Sequence, residues 1–591
     1  MRRFRPIFCI AIVVCATTNF AWAERVLELV GDDAELRGML EATSVLLRND
    51  ETPTSDTVAA ARAEYGRLLA VLYDQGYFAG TISIEIDGRE AAQISPFSAP
   101  DRIDSIVIRV AAGAPFRLGE VAISPQAPGQ VATEGFVTDA PANTGILRNA
   151  TRDAIDAWRD IGHATARVSD QSITAQNRSA TLDAVIEIEP GPVLRFGNLV
   201  PQGQNRMPTA RVLEIAGLPT GEVFSPAELD RAANRLRRTG VFSSVALREG
   251  AVRPDGTIDI DGELVEAPLR RLGFGGEVSS VDGVTLSAYW IHRNVTGGGE
   301  RLSFDAEITG IGQASGSPDF DLNATFARPA TATPDTTFVT ELGVEYLDEE
   351  TFREFVFDGL AGVEQQISDD LVGQIGVGFR YSDISDNFSD RSVTLLTLPV
   401  GLTYDSRDLP LDATSGLYAS ANVAPFFVTD SSTFGGRGLL DLRGYAGLGE
   451  QNSTRLAGRL QLGTVMGGGI TDLPPNFLFF SGGGGTVRGQ DFRGLGAVQD
   501  GEDSGGRSFV GLSGELRQDV TDAIGLVAFY DAGYIAADAL WDDSGEWHSG
   551  AGVGVRYNTA LGAIRLDLAA PVSGPDPDND VFIYIGIGQA F

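Results

Sequence analysis

Residues 269–591 contain sixteen segments in which apolar and polar side chains alternate one by one. A period of two is the pattern of a β-strand with one apolar and one polar face. In one segment, for example, Arg565 and Asp567 separate three large aliphatic residues. Outer-membrane barrels have an even number of strands of about ten residues, and lipid tolerates only helices or closed barrels. Since residues 24–591 contain no apolar run long enough for a membrane helix, the pattern predicts a 16-stranded antiparallel transmembrane β-barrel.

A glycine-rich stretch, residues 482–496, follows the eleventh predicted strand, on the side of the barrel where long loops belong. Its glycines permit positive φ angles and close packing, and Arg488 is the charge at its tip. Taken alone, the stretch also fits a mobile surface loop. Within a barrel it can fold into the polar lumen, where a buried guanidinium needs a carboxylate partner. The candidates are Glu515 and Asp531, each on the polar face of a predicted strand, and the sequence does not decide between them.

The N-terminal part of the chain, residues 24–266, contains a weak repeat with a period of roughly 80 residues. Each repeat has a predicted helix that ends in a glycine, at Gly76, Gly162 and Gly240. Each also has a strand that leads into a junction with proline and arginine. One irregular domain is the alternative, but the recurring markers favour three α/β modules with the order strand, helix, helix, strand, strand. Their predicted bounds are residues 24–112, 113–190 and 191–268.

The first 23 residues have the pattern of a secretory signal, with three arginines, an apolar core and an Ala-Trp-Ala sequence at 21–23. The sequence therefore predicts that the mature protein starts at Glu24. A lipid anchor on Cys15 is disfavoured because the residues before it are not small. The only two cysteines, Cys9 and Cys15, both lie in this segment. The mature protein is then expected to have no disulfide and no thiolate metal site.

Composition excludes several classes of function. The 45 basic residues are all arginine and stand against 80 acidic residues, giving a formal net charge of −35, so nucleic acid is not an expected partner. Without lysine there is no Walker A loop, kinase-type lysine or Schiff base. The three histidines form no metal motif, and we expect no cofactor and no enzyme. The aspartates at Asp576, Asp578 and Asp580 lack the glycine and closing glutamate of a calcium loop, which predicts a solvated acidic loop.

Seven short motifs stand out in the sequence: Val487-Arg488-Gly489, Glu515 within residues 511–517, Asp531 within residues 529–533, and residues 290–299, 405–408, 552–557 and 582–591. Together they resemble the motifs of the BamA/TamA outer-membrane assembly superfamily. By this resemblance the three N-terminal modules are POTRA domains, and three of them before a barrel are most similar to the TamA branch. Gln490 departs from the pattern, because the family commonly has an aromatic residue there.

The resemblance implies a factor in the bacterial outer membrane, with POTRA domains in the periplasm, that helps autotransporters and other β-barrel clients fold into the lipid bilayer. It also implies a TamB-like partner anchored in the inner membrane and a lateral opening between the first and last barrel strands. Glycines weaken strand pairing there, although barrel strands are often rich in glycine for other reasons. The predicted seam residues are Gly273, Gly275 and Gly276 in the first strand, and Gly586, Gly588 and Phe591 in the last.

Two other functions remain open at this point. A dedicated protein-secretion pore of the two-partner type would need a plug helix, which residues 24–30 are too short to form. A passive porin would explain neither the three N-terminal repeats nor a glycine-rich loop directed into the lumen. The assembly factor is therefore favoured.

Overall fold

The computed structural model describes residues 24–31, 33–48, 53–279, 283–312, 317–449, 452–521, 523–540, 545–559, 562–574, 581–587 and 589. The chain divides into two compact units. The first ends at residue 197 and also includes residues 220–227 and 252–258, and the second comprises the rest. No helix in the described ranges is long and apolar enough to cross a membrane.

Some of the predicted features lie outside the described residues. These are the secretory signal at 1–23, the aspartates Asp576, Asp578 and Asp580, and two of the predicted seam residues, Gly588 and Phe591.

The first unit contains two small α/β modules. The first module pairs its strands in the order β1-β4-β2-β3, and its core is formed by fully buried aliphatic residues such as Leu40, Leu68 and Ile84. The second pairs them in the order β5-β7-β6. Their elements are β1 (Glu24–Val30), α1 (Ala34–Thr43), α2 (Thr54–Asp74), β2 (Thr81–Ile86), β3 (Arg89–Glu90), β4 (Ser105–Ala111), β5 (Arg117–Ser124), α3 (Thr144–Asp160), β6 (Arg167–Gln176) and β7 (Thr181–Glu189).

The second module differs from the predicted order in having one helix, α3, instead of two. Turns and bends replace the first helix between residues 125 and 143, all of which are described. The reason lies in the sequence of this segment, which includes Pro128 and Pro141 and two glycines, Gly129 and Gly135, at φ angles of 79° and 78°. Proline removes a helical N–H donor and a left-handed glycine ends a helix, so no helix can propagate through the segment.

The third module follows the predicted order of strand, two helices and two strands, and its sheet has the order β8-β10-β9. Helix α4 ends at Gly217, which has the left-handed φ of 56° expected of a C-terminal cap. The elements are β8 (Arg195–Gln202), α4 (Thr209–Ala216), α5 (Pro226–Arg238), β9 (Phe242–Val252) and β10 (Thr257–Glu266).

The second half of the chain forms the predicted closed antiparallel barrel with a sixteen-stranded wall. A two-stranded sheet, β23 and β24, belongs to the long loop between β22 and β25. The strands are β11 (Arg270–Ser279), β12 (Gly283–His292), β13 (Arg301–Ile311), β14 (Asp319–Arg328), β15 (Thr336–Asp348), β16 (Phe352–Gln366), β17 (Leu371–Asp386), β18 (Asp390–Thr397), β19 (Val400–Asp405), β20 (Gly416–Val428), β21 (Thr433–Leu448), β22 (Thr454–Met466), β23 (Ala497–Gln499), β24 (Glu502–Ser504), β25 (Ser508–Asp519), β26 (Ile524–Ala536), β27 (Glu546–Thr559), β28 (Gly562–Ser573) and β29 (Phe582–Ile587).

One position in the wall is occupied by two short strands, β18 and β19, where the sequence predicts a single continuous strand. Both lie between β17 and β20 and pair with each of them. The interruption contains Pro399, which has no N–H group to donate to a neighbouring strand. The carbonyl of Pro399 still accepts a bond from the Gly376 N–H at 3.0 Å, and the adjacent Leu398 N–H donates to the Pro425 carbonyl at 2.9 Å, so both neighbouring strands stay bonded here.

The barrel wall is apolar outside and polar inside. In β28, Ile564, Leu566 and Leu568 have 43%, 41% and 42% of their surface exposed, whereas Arg565 and Asp567 have 8% and 0%. The same alternation places exposed leucine, isoleucine, valine and aromatic residues on most other strands of the wall. This outward apolar surface, which we call the apolar belt, is the pattern of a barrel whose outer face contacts lipid.

The third module contacts the barrel within the second unit. Arg235 of α5 donates two hydrogen bonds, of 2.8 and 2.6 Å, to the carboxylate of Asp335, which precedes β15. These bonds hold the pKa of Asp335 below its usual range. Arg211 of α4 donates from Nε to the Gly298 carbonyl at 2.8 Å. Two arginines of the module therefore bind turns at one rim of the barrel.

Candidate functional site

The glycine-rich stretch at residues 482–496, which we call the Arg488 loop, is folded against the inside of the barrel. Its base is closed by two mutual backbone bonds of 2.9 Å between Ser481 and Leu495. Within it, the Gly483 N–H donates to the Gln490 carbonyl at 3.2 Å, and the Thr486 hydroxyl binds both the N–H and the carbonyl of Gly482. These bonds define a compact turn with Arg488 at its tip.

Glycine is required at the residue that follows Arg488. Gly489 has a φ of 86°, and a Cβ atom there would lie 2.7 Å from the carbonyl oxygen of Ala570 in β28. No side chain fits into this space without moving a strand of the wall. The close approach of the loop backbone to the wall is what brings the neighbouring guanidinium within reach of the carboxylates on β25, β26 and β28.

Arg488 is 2% exposed and binds both of the predicted carboxylates. Its Nε and Nη2 donate to the two oxygens of Asp531 at 2.7 and 3.0 Å, and its Nη1 donates to Glu515 at 2.7 Å. Its backbone N–H also donates to Asp531 at 3.2 Å. Burial would lower the pKa of Arg488, but the bonds to Asp531 and the charge of Glu515 outweigh it and raise that pKa above its ordinary value. The guanidinium is therefore fixed as a cation.

Three further charged residues complete this site. Asp567 of β28 lies 3.4 Å from Nη1 of Arg488 and also pairs with Arg556 of β27, while Arg517 of β25 donates from Nε to Glu515 at 2.8 Å. The site thus balances three guanidinium groups against three carboxylates, all nearly excluded from solvent. We call it the arginine cluster: Arg488, Arg517, Arg556, Glu515, Asp531 and Asp567.

Asp567, Arg556 and Arg517 were not predicted from the sequence as parts of this site. The only signal for Asp567 is its parity, since it lies on the polar face of its strand. Parity shows that a side chain faces the lumen but does not show its height along the barrel axis. That height is set by the register between strands, which brings Asp567 opposite Gly554 in β27.

Apolar contacts support Arg488 and its neighbours. The guanidinium carbon lies 3.6 Å from the centre of the Phe529 ring, a cation–π contact. Val487 is 0% exposed and packs against Gly533, where an added Cβ would lie 3.0 Å from its Cγ2. His548 of β27 is 2% exposed and its Nε2 lies 2.7 Å from the Ser481 hydroxyl at the loop base. Each contact holds the Arg488 loop to a wall strand.

Gln490 has a role that an aromatic residue could not fill. Its side-chain amide donates to the carbonyls of Ser549 and Ser573 at 2.7 and 3.0 Å, on strands β27 and β28. Gln490 therefore joins the Arg488 loop to two neighbouring strands of the barrel wall.

Tyr584 connects the tip of the Arg488 loop to the last strand, β29. Its hydroxyl accepts a 3.1 Å hydrogen bond from the Gly489 N–H, and its side chain is 1% exposed. It belongs to a buried apolar cluster with Val527, Phe529 and Ala569. The ring that supports Arg488 and the residue that binds Gly489 thus belong to one packed group.

The closure between β11 and β29, which we call the seam, has two ladder pairs among the described residues. They are Val278 with Ile585 and Ser279 with Tyr584. By comparison, β11 forms ten pairs with β12 on its other side. Of the predicted seam glycines, Gly273, Gly275 and Gly276 pair with β12, and Gly586 pairs with Arg565 of β28.

In the part of the chain that the structure describes, no group of three or more histidine, cysteine, aspartate or glutamate side chains could hold a metal ion. The carboxylates of the arginine cluster instead bind guanidinium groups.

Comparison with known proteins gives one family match. The family profile described as the Omp85 superfamily domain matches residues 294–591. Among curated proteins, the outer membrane protein assembly factor BamA of Nitratidesulfovibrio vulgaris is 22% identical over 443 residues, which are 71% of this chain and 53% of that protein. The chain therefore spans about half the length of this relative.

Two solved structures share the fold. BamA from Haemophilus ducreyi lacking POTRA domains 1–3 has a TM-score of 0.59 at 15% identity, over 80% of this chain and 100% of that one. CdiB from Acinetobacter baumannii has a TM-score of 0.52 at 13% identity, over 80% and 90%. At these identities the likeness concerns the fold alone.

Proposed function

Because the chain belongs to the Omp85 superfamily, we propose that it is an outer-membrane assembly factor whose seam admits the strands of other β-barrel proteins. Clients of the autotransporter type would fold into the membrane next to β11. The POTRA modules would lie in the periplasm and engage a TamB-like protein anchored in the inner membrane. The family match supports the outer membrane as the location of the barrel.

The observation that carries this proposal is the short ladder of the seam. Two pairs join β11 to β29 among the described residues, whereas β28 and β29 form six. Backbone groups on a strand edge that lack a partner can be satisfied by an added strand. A client strand can therefore gain ladder bonds at β11.

The arginine cluster has a supporting role in this proposal. Arg488, with Glu515 and Asp531, would fix the loop on the inside of β25–β28, so that these strands stay together when the seam opens. The insertion itself needs no nucleotide or covalent step, because burial of client apolar surface in the bilayer is favourable. The protein would accordingly act as a binding scaffold and not as an enzyme.

The test locks the seam with a disulfide. Val278 and Ile585 are opposite each other in the ladder, and both side chains face outward, with 49% and 43% exposed. Residues 24–591 contain no cysteine, so Val278→Cys/Ile585→Cys introduces one thiol pair. A matched control is Val344→Cys/Phe357→Cys, a pair of opposed outward residues in the uninterrupted wall between β15 and β16.

Autotransporter assembly is compared for both variants under oxidising and reducing conditions. We expect oxidation to reduce assembly by the seam variant more than tenfold, reduction to restore it, and the control to be insensitive. Normal assembly with the seam fully cross-linked would exclude passage between β11 and β29. The two-partner secretion pore and the passive porin would then be the remaining alternatives.

A further inference from the structure

Three residues on three neighbouring strands form one row across the inside of the seam. Arg565 of β28 pairs with Gly586 of β29. The register of the seam, continued by one residue from the pair of Val278 with Ile585, places Glu277 of β11 opposite Gly586. A cation, a residue without a side chain and an anion therefore follow one another around the wall.

The two charged residues reach each other over the last strand. Nη2 of Arg565 lies 2.6 Å from Oε1 of Glu277, although 288 residues separate them in sequence. A Cβ atom at Gly586 would lie 3.0 Å from Nε of Arg565 and 3.4 Å from the carboxylate carbon of Glu277. The pair therefore occupies the space that a side chain at position 586 would need.

We propose that Glu277 and Arg565 form a clasp that holds the seam closed, and that Gly586 is a glycine because the clasp passes over it. The proposal rests on the proposed function, since it concerns how the same seam is kept shut. Both residues act as positioning residues: they hold β11 next to β28 and so keep β29 between them. The sequence-based explanation of Gly586, a weak point in the ladder, is thereby extended by a steric one.

The strength of the clasp suits a closure that must open. The side chain of Arg565 is 10% exposed and that of Glu277 is 39% exposed, so the pair is partly solvated. Such pairs contribute little compared with buried ones and are weakened by salt. With two ladder pairs described at the seam, even a modest contribution changes the fraction of open molecules.

The surroundings of Glu277 explain why a cation is needed here. Glu277 lines a cavity of about 440 Å³ inside the barrel together with four other carboxylates, Glu307, Asp319, Asp321 and Glu345, and one guanidinium, Arg493. Because the carboxylates outnumber the guanidinium, Glu277 experiences net repulsion from its surroundings. Arg565 offsets this repulsion from the opposite side of the seam.

The test measures hydrogen exchange of the backbone amides of β29 in the full-length protein in lipid nanodiscs, without any client. Exchange at this strand reports the open fraction of the seam. Glu277→Gln and Arg565→Gln are each expected to accelerate it about 5-fold, the ratio for a partly exposed ion pair. The exchanged pair Glu277→Arg/Arg565→Glu should return it to within about 2-fold of the wild type, and 0.5 M salt should reduce the difference between wild type and single variants.

Two further variants separate the clasp from general loosening. Gly586→Val keeps both charges but fills the space between them, and should accelerate exchange as the charge variants do. Arg443→Gln removes an arginine of β21 that lies 2.8 Å from Asp441 in the same strand and lines neither the seam nor the cavity beside Glu277. It is expected to leave exchange in β29 unchanged. Protection of β15–β17 in every seam variant confirms that the barrel is folded.

The outcomes distinguish the clasp from the proposed function. Unchanged exchange in Glu277→Gln and Arg565→Gln would overturn the clasp and leave the client assay unaffected. Faster exchange in the single variants without recovery in the exchanged pair would also overturn it, because the charges would then not act on each other. Faster exchange with recovery, combined with client assembly through a cross-linked seam, would support the clasp and reject the proposed function.

Discussion

The two edges of β29 differ in how they are held. On one edge six ladder pairs join it to β28, which continues through β27, β26 and β25, the strands that carry the arginine cluster. On the other edge two ladder pairs are described, together with one ion pair that skips the strand. In its described part, β29 therefore has more pairs with β28 than with β11.

The two sides of β29 also differ in how far their charged side chains are buried. The charged groups of the arginine cluster are almost excluded from solvent, with Arg488 at 2% and Asp567 at 0% exposure. At the seam, the side chain of Glu277 is 39% exposed. Separating a buried ion pair leaves uncompensated charges and costs about 3–5 kcal/mol. The seam pair has one buried member, Arg565 with 10% of its side chain exposed, and one partly exposed member, Glu277, so its contribution lies between this value and the about 1 kcal/mol or less of a fully exposed pair. Under the proposed function, one side of β29 would stay closed and the other would open reversibly.

Among the substitutions that test this difference between the two sides, Arg488→Ala is expected to have the largest effect. It leaves Glu515 and Asp531 buried with fewer cationic partners, and we expect a loss of about 3–5 kcal/mol in the free energy that holds the Arg488 loop in place. Limited proteolysis within residues 482–496 and urea unfolding in detergent measure the effect. Client assembly should fall while the barrel still inserts.

Arg353→Ala is a control outside the cluster, because the Arg353 side chain is 59% exposed and pairs with Asp348 at 3.4 Å. We expect it to change stability by about 1 kcal/mol or less. Equal effects of the two substitutions, or normal client assembly by Arg488→Ala, would contradict the view that burial makes the cluster strong.

A smaller effect is expected from Asp567→Asn, which measures how much one carboxylate contributes to the arginine cluster. It removes the charge that pairs with Arg556 and lies near Arg488, and a lost bond to a charged group costs about 1.5–3 kcal/mol. A double-mutant cycle with Arg556→Gln, followed by urea unfolding, gives the coupling between the two. A coupling energy near zero would show that Asp567 acts independently of Arg556.

The smallest expected effect belongs to Tyr584→Phe, which connects the two sides. It removes the acceptor of the Gly489 N–H and costs about 1 kcal/mol. Because Tyr584 also pairs with Ser279 across the seam, hydrogen exchange in β29 should rise about 3-fold, while protease resistance of the Arg488 loop persists. Unchanged exchange at β29 would mean that the loop does not support the seam.

The sequence predicts what is local. Alternation with a period of two indicates the barrel because each strand carries its own pattern, and the polar parity of Glu515 and Asp531 places both on the inner face. The glycines that end helices likewise predict the helices of the third module, because they too act on the local backbone. In the second module, the prolines and glycines between residues 125 and 141 argue against a helix. This local signal describes the segment better than the repeat pattern, which predicts a helix there.

What the sequence does not predict depends on register between distant strands. Asp567 reaches Arg488 only because β25–β28 align at one height, and Glu277 reaches Arg565 only because the barrel closes with one particular stagger. Tyr584 is a member of the closing motif, but nothing local shows that its hydroxyl meets Gly489. Pro399 can be read from the sequence, but its effect on the wall cannot. Two strand segments occupy one position there because β18 and β19 pair separately with the neighbouring strands.

The apolar belt has a consequence for how the protein itself is made. A surface on which residues such as Ile564, Leu566 and Leu568 are over 40% exposed needs lipid or detergent around it, so the newly made chain must be inserted into the membrane as the proposed clients are. If the proposed function holds, each new copy depends on copies or relatives already present in the membrane. Daughter cells would then have to inherit membrane that already contains such copies, because the gene alone could not restore the capacity to assemble barrels.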